Sequence, residues 1–148
     1  SEITVCGLPT VVDVLYRTVP QAEKGFPRDA YLRARARIWV GGDKEGETKY
    51  LQQALSSDVC PVEVMAAAQS FAIQQIKQVD SALADNDWLL GQGDDAFGFA
   101  DIASARRIQY YNAGLGGELL SEYPRVRQWL AGVQQRLGNR KQHNSSAA

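Results

Sequence analysis

Trp88-Leu89-Leu90-Gly91, Phe97-Gly98-Phe99-Ala100-Asp101-Ile102-Ala103 and Tyr123-Pro124-Arg125-Val126-Arg127-Gln128-Trp129-Leu130 decide how this chain folds. With Gly98 as the N-cap of a helix, Asp101 falls at the third helical position. There its carboxylate accepts the backbone N–H of the cap residue. Phe97 and Ile102 then stand at the two ends of a hydrophobic staple. The positive end of the helix dipole favours the Asp101 charge as well. This spacing accounts for Asp101 as a structural residue with no catalytic role. On that reading, Asp101→Ala should cost about 0.5–2 kcal/mol through the lost helix start.

Working outward, Val126, Trp129, Leu130, Val133 and Leu137 recur at the intervals of one buried helix face. Upstream, Asp29 is placed to cap a helix that carries Leu32, Ala36, Trp39 and Val40, and Gly41-Gly42 stops it. Cys60-Pro61 marks another helix start, with proline expected at the first helical position. Val64, Ala67, Ala68, Phe71, Ile76, Val79 and Leu83 carry that helix to about residue 84. A shorter helix is expected from Lys49 to Leu55. At the beginning, Ile3-Thr4-Val5-Cys6 is a short β-prone run, and Thr10 to Val19 forms a short helix closed by Pro20. The expected organisation is a strand, short helix and linker over 1–26, a helical domain over 27–137, and a frayed polar tail over 138–148. The fold class is all-α, a helical bundle.

Composition narrows the chemistry. Apolar residues make up 45% and charged residues 22% of 148 residues, as in ordinary soluble domains. Sixteen basic and 17 acidic residues leave a formal charge of -1, so no overall field favours nucleic acid. No apolar run is long enough to cross a bilayer, and no signal sequence opens the chain, so a cytoplasmic location is expected. The single histidine, His143, lies in the polar tail, which leaves neither a His-based triad nor a multi-histidine metal site. Cys6 and Cys60 form no C-x-x-C pair and no metal framework.

The order of these pieces resembles the all-helical C-terminal domain of the glutathione transferase superfamily. Phe97 to Ile102 matches that family's capped, buried helix, with Gly98 where Ser or Thr usually caps. Arg33-Ala34-Arg35-Ala36-Arg37-Ile38-Trp39 resembles the first long helix of the domain. Trp88-Leu89-Leu90-Gly91 resembles the loop before the capped helix, and Tyr123-Pro124 with Val126 and Trp129 the later turn and helix. The likeness covers about residues 27–137. It implies a thioredoxin-like domain in front, yet the 26 residues before the helical part have room only for a remnant of one. Ile3 to Cys6 and the Thr10 helix are read as its last strand and helix; an alternative takes Val5 to Thr10 as its opening strand and turn. Under either alignment the acidic-serine pair that holds glutathione in the family is missing. Glutathione is therefore the disfavoured cofactor, and none is expected.

Individual residues admit sharper readings beside bland ones. Cys60 at a helix start is a candidate reactive thiol, and the bland reading is a small buried apolar residue. Trp39, Tyr110 and Tyr111 are candidates for a ligand cleft or an interface. For the tyrosine pair the simpler expectation is one packed ring and one partly solvated ring. Arg28, Arg33, Arg35 and Arg37, like Arg106-Arg107 and Arg125-Arg127, read as solvated basic sides of helices. The preferred function is a non-catalytic domain that associates with a protein partner or with its own copies. The alternative is a glutathione transferase-related enzyme or binder of a hydrophobic small molecule, its site incomplete or completed by oligomerisation.

Overall fold

A computed structural model describes residues 25, 27–41, 54, 56 and 60–145, with 139–145 as backbone alone. The expected strand at Ile3–Cys6, the Thr10–Val19 helix and most of the Lys49–Leu55 helix lie outside these residues. Among the described residues there are four α-helices, one 3-10 turn and no strand: α1 (Ala30–Gly41), α2 (Val62–Ala82), the 3-10 turn (Asp94–Ala96), α3 (Phe99–Gly114) and α4 (Pro124–Ser145). This part of the chain is all-α.

Each boundary has a local cause. At the start of α1, Asp29 Oδ1 accepts the Leu32 N–H at 2.9 Å, while the Asp29 carbonyl takes the Arg33 N–H. Pro61 stands one position outside α2 as its N-cap, a shift from the expected first helical position. Its carbonyl accepts the Val64 and Met65 N–H groups, so it opens the helix without needing an N–H of its own. At the other end, Asn86 Nδ2 donates to the Ala82 carbonyl at 2.9 Å. Gly116, at φ +106, turns the chain out of α3, and the Gly117 N–H reaches back to the Asn112 carbonyl at 2.7 Å. That is the six-to-one closure favoured when glycine follows a helix.

The core divides in two because the buried stripe of α2 changes size along its length. Ala68 and Ala72 leave space for Tyr111 and Leu115 in a smaller cluster, which Phe71, Val64 and Cys60 edge. Further on, Ile76, Val79 and Leu83 join the main core with Val126, Trp129, Leu130 and Val133 of α4. Ala67, expected on the stripe, is exposed, and Ala72 takes its place. In α3 the first two turns bury, besides Asp101, only the small side chains of Ala100, Ser104 and Ala105, which lets neighbouring elements come close. Helix α1 packs most extensively against α3.

The tail needs a correction. The sequence reading expected fraying from Gly138, but the α4 backbone stays helical to Ser145. Its last core side chain is the half-buried Leu137. Beyond it, Arg140, Lys141 and Gln142 have high helix propensity. Extending an existing helix by one residue also avoids the cost of nucleation.

Candidate functional site

Asp101 holds the centre of the fold and is fully buried at 0% exposure. Three elements donate to its carboxylate. Oδ2 accepts the N–H of Gly98 at 3.1 Å, the helix-start bond. Oδ1 accepts the N–H of Leu89 at 3.0 Å and the indole Nε1–H of Trp129 at 2.9 Å. Since Gly98 has no side chain, the reciprocal half of the cap comes from its backbone: the Asp101 and Ile102 N–H groups donate to the Gly98 carbonyl. Phe97 is buried, and Ile102 packs half-buried against the same core.

The Leu89 bond has a clear origin. Trp88 and Gly91 close a tight turn by exchanging N–H···O bonds of 3.0 and 3.1 Å, and the tip, Leu89-Leu90, points into the core. A buried turn would strand the Leu89 N–H, and an unpaired buried donor is costly. Asp101 satisfies it. Burial pushes the Asp101 carboxyl above the ordinary carboxylate range, and the Leu89, Trp129 and Gly98 donors pull it part of the way back. With its lone pairs engaged and no access to solvent, this carboxylate has the geometry of a structural hub.

Gly98 itself is fixed by packing. A Cβ added there would lie 2.6 Å from the Gly25 carbonyl oxygen, and one added at Gly25 would lie 2.7 Å from the Phe99 ring. The two glycines therefore bring the entry to α1 directly against the start of α3. Two turns later the same helices meet again. Arg107 of α3 donates to the Trp39 carbonyl at 2.6 Å and to the Val40 carbonyl at 3.4 Å, near the end of α1. Arg125 does the same for α2, donating to the Asp80 carbonyl at 3.0 Å. Both arginines were expected on solvated helix sides. Arg107 is part-buried instead, whereas Arg125 stays exposed as expected; both place cations at helix C-termini, where the dipole favours them.

Of the residues considered for ligand, interface or thiol chemistry, Trp39 and Tyr111 share one small cleft, and Tyr110 and Cys60 do not line it. Tyr111 is buried, its ring edge-on to Phe71, while Tyr110 is 53% exposed. Trp39 and Tyr111 line a cleft with Gln75, Val79, Ser104 and Arg107. That cleft holds about 10 Å³, space for one water and far too little for a hydrophobic ligand. Cys60 is half-buried just before the α2 cap, its Sγ 3.6 Å from the Pro61 carbonyl. Among the described residues no group of three or more His, Cys, Asp or Glu side chains could hold a metal ion. None of the described helices is long and apolar enough to cross a membrane.

The feature that sequence reasoning missed lies on the outer side of α1. Ala36 and Val40 bury one face of this helix. On the opposite face, Tyr31 and Ile38 are 70% and 72% exposed. Tyr31, Arg35 and Ile38 stand at i, i+4 and i+7, so they form one stripe, with Ala34 beside them. The signal was present in the sequence as a second apolar period in α1, out of phase with the first. Protein-family models, curated proteins and solved structures were all compared with the chain, and none matches.

Proposed function

We propose that the chain is a non-catalytic helical domain of the glutathione transferase C-terminal type, working by protein association through the outward face of α1. One observation carries the reading. Helix α1 has two apolar faces, and the core uses only one of them. A helix apolar on opposite sides normally has packing partners on both. Large exposed apolar side chains gathered in one stripe are a common sign of an interaction site. The capped start of α3 and the helix order support the family part of the proposal. Asp101, the most buried polar side chain among the described residues, is committed to structure and adds no argument for catalysis.

Site-specific photo-cross-linking in cells tests this function. A photoreactive amino acid is placed at Tyr31 or Ile38, and at the exposed Lys77 or Gln134 as controls. Discrete higher-mass products confined to positions 31 and 38 are expected. Products equally frequent at the control positions, or none at 31 and 38, overturn the proposal.

A further inference from the structure

We infer that residues 91–96 form a strap poised to open as a unit, with Arg136 of α4 as its latch. Both ends of the segment are pinned to one group: Asp101 accepts the Leu89 N–H before it and the Gly98 N–H after it. A compact surface loop whose ends are held together can lift while its anchors stay in place. Buried Leu90 and Phe97 flank the strap, whereas residues 92–95 are exposed. Gly93 turns the chain at φ +78, with nothing within 4 Å of an added Cβ. Local opening proceeds where backbone is exposed and few apolar contacts are lost, as at residues 92–95.

Three side-chain contacts close the strap. Gln92 Nε2 donates to the Asp85 carbonyl at 2.7 Å, and the Gly93 N–H donates to Asp87 Oδ2 at 2.9 Å, both in the chain just after α2. The third crosses to α4, where the Arg136 guanidinium pairs with Asp94. Helix α4 is shaped for this. Gly132 leaves room for the Trp88 ring, which would lie 3.3 Å from an added Cβ, and Arg136 follows one turn later. Its guanidinium stands 5.2 Å from the ring centroids of both Trp88 and Phe97, which meet edge to face. The stack holds the cation against rings that belong to the main core, and the ion pair ties the strap to that cation. Asp94 is 89% exposed, so this is a contact that dissolved ions screen. Lifting the strap withdraws Ala96 from the edge of the same core.

Residue-resolved amide hydrogen exchange of the full chain by NMR tests this. In the parent, Gly93 and Ala96 should exchange through a local opening, with protection below that of Ile76, Ile108 and Val133 in the helices. Arg136→Gln should lower protection at Gly93 and Ala96 by about fivefold and leave the three helix amides unchanged. Asp94→Asn, which keeps the stack on the rings, should act in the same direction. Sodium chloride at about 1 M should lower the same two protections in the parent and not in Asp94→Asn. Equal protection of strap and helix amides in the parent would overturn the inference, since the segment would then open only with the whole fold. Unchanged strap protection in Asp94→Asn, or a loss spread equally over the helix amides in both variants, would overturn it as well.

Discussion

Trp129 of α4 donates its indole N–H to Oδ1 of Asp101 at 2.9 Å, the same oxygen that accepts the Leu89 N–H of the buried turn. One carboxylate thus ties the turn, the start of α3 and the final helix. Removing it strands three buried donors, each worth about 1–3 kcal/mol when unsatisfied. Asp101→Ala is therefore expected to cost about 3–5 kcal/mol, well above the 0.5–2 kcal/mol of a helix cap alone. Urea unfolding measures it, and a loss within the cap range would reduce Asp101 to a local helix-start residue.

The same group gives a signed pH dependence. Its folded pKa is raised above the unfolded value of about 3.9. Between those two values the folded chain keeps a proton that the unfolded chain has lost. The contribution of Asp101 to stability is fully present below the unfolded value and falls as pH rises through the folded one. Asp101→Asn has no such proton, so raising the pH across that window should shift the stability difference towards the variant. Unfolding midpoints of both proteins at stepped pH check the sign. A shift the other way would mean that the three donors, and not burial, set the pKa.

Gly98 opposes two rules against each other. Serine is a better N-cap than glycine by a few tenths of a kcal/mol. Its Cβ, however, would lie 2.6 Å from the Gly25 carbonyl, a contact that forces backbone to move. Overpacking of this kind costs about 1–3 kcal/mol, so Gly98→Ser should destabilise the protein. A higher thermal midpoint for Gly98→Ser would contradict the close approach of the two glycines.

What could be read from sequence was local. The period of Val126, Trp129, Leu130 and Val133 announces the buried face of α4, and the spacing of Gly98 and Asp101 announces a helix start. The full role of Asp101 was hidden because Leu89 and Trp129 lie 12 and 28 residues away, and the period that buries Trp129 does not say where its indole N–H donates. Gly98 looked like a weakened cap because the reason for glycine is a carbonyl far upstream. Arg107 looked solvated for a similar cause: the carbonyls it reaches belong to another helix. The outer stripe of α1 was legible, but one apolar period in that helix drew attention from the second.

The measurement that tests the central claim most directly is urea unfolding of Ile38→Lys beside the parent chain. If the outward face of α1 is surplus to the fold, stability should stay within about 0.5 kcal/mol, as for an ordinary surface substitution. A loss of about 2 kcal/mol or more would place Ile38 in the protein's own core and contradict a face held open for a partner.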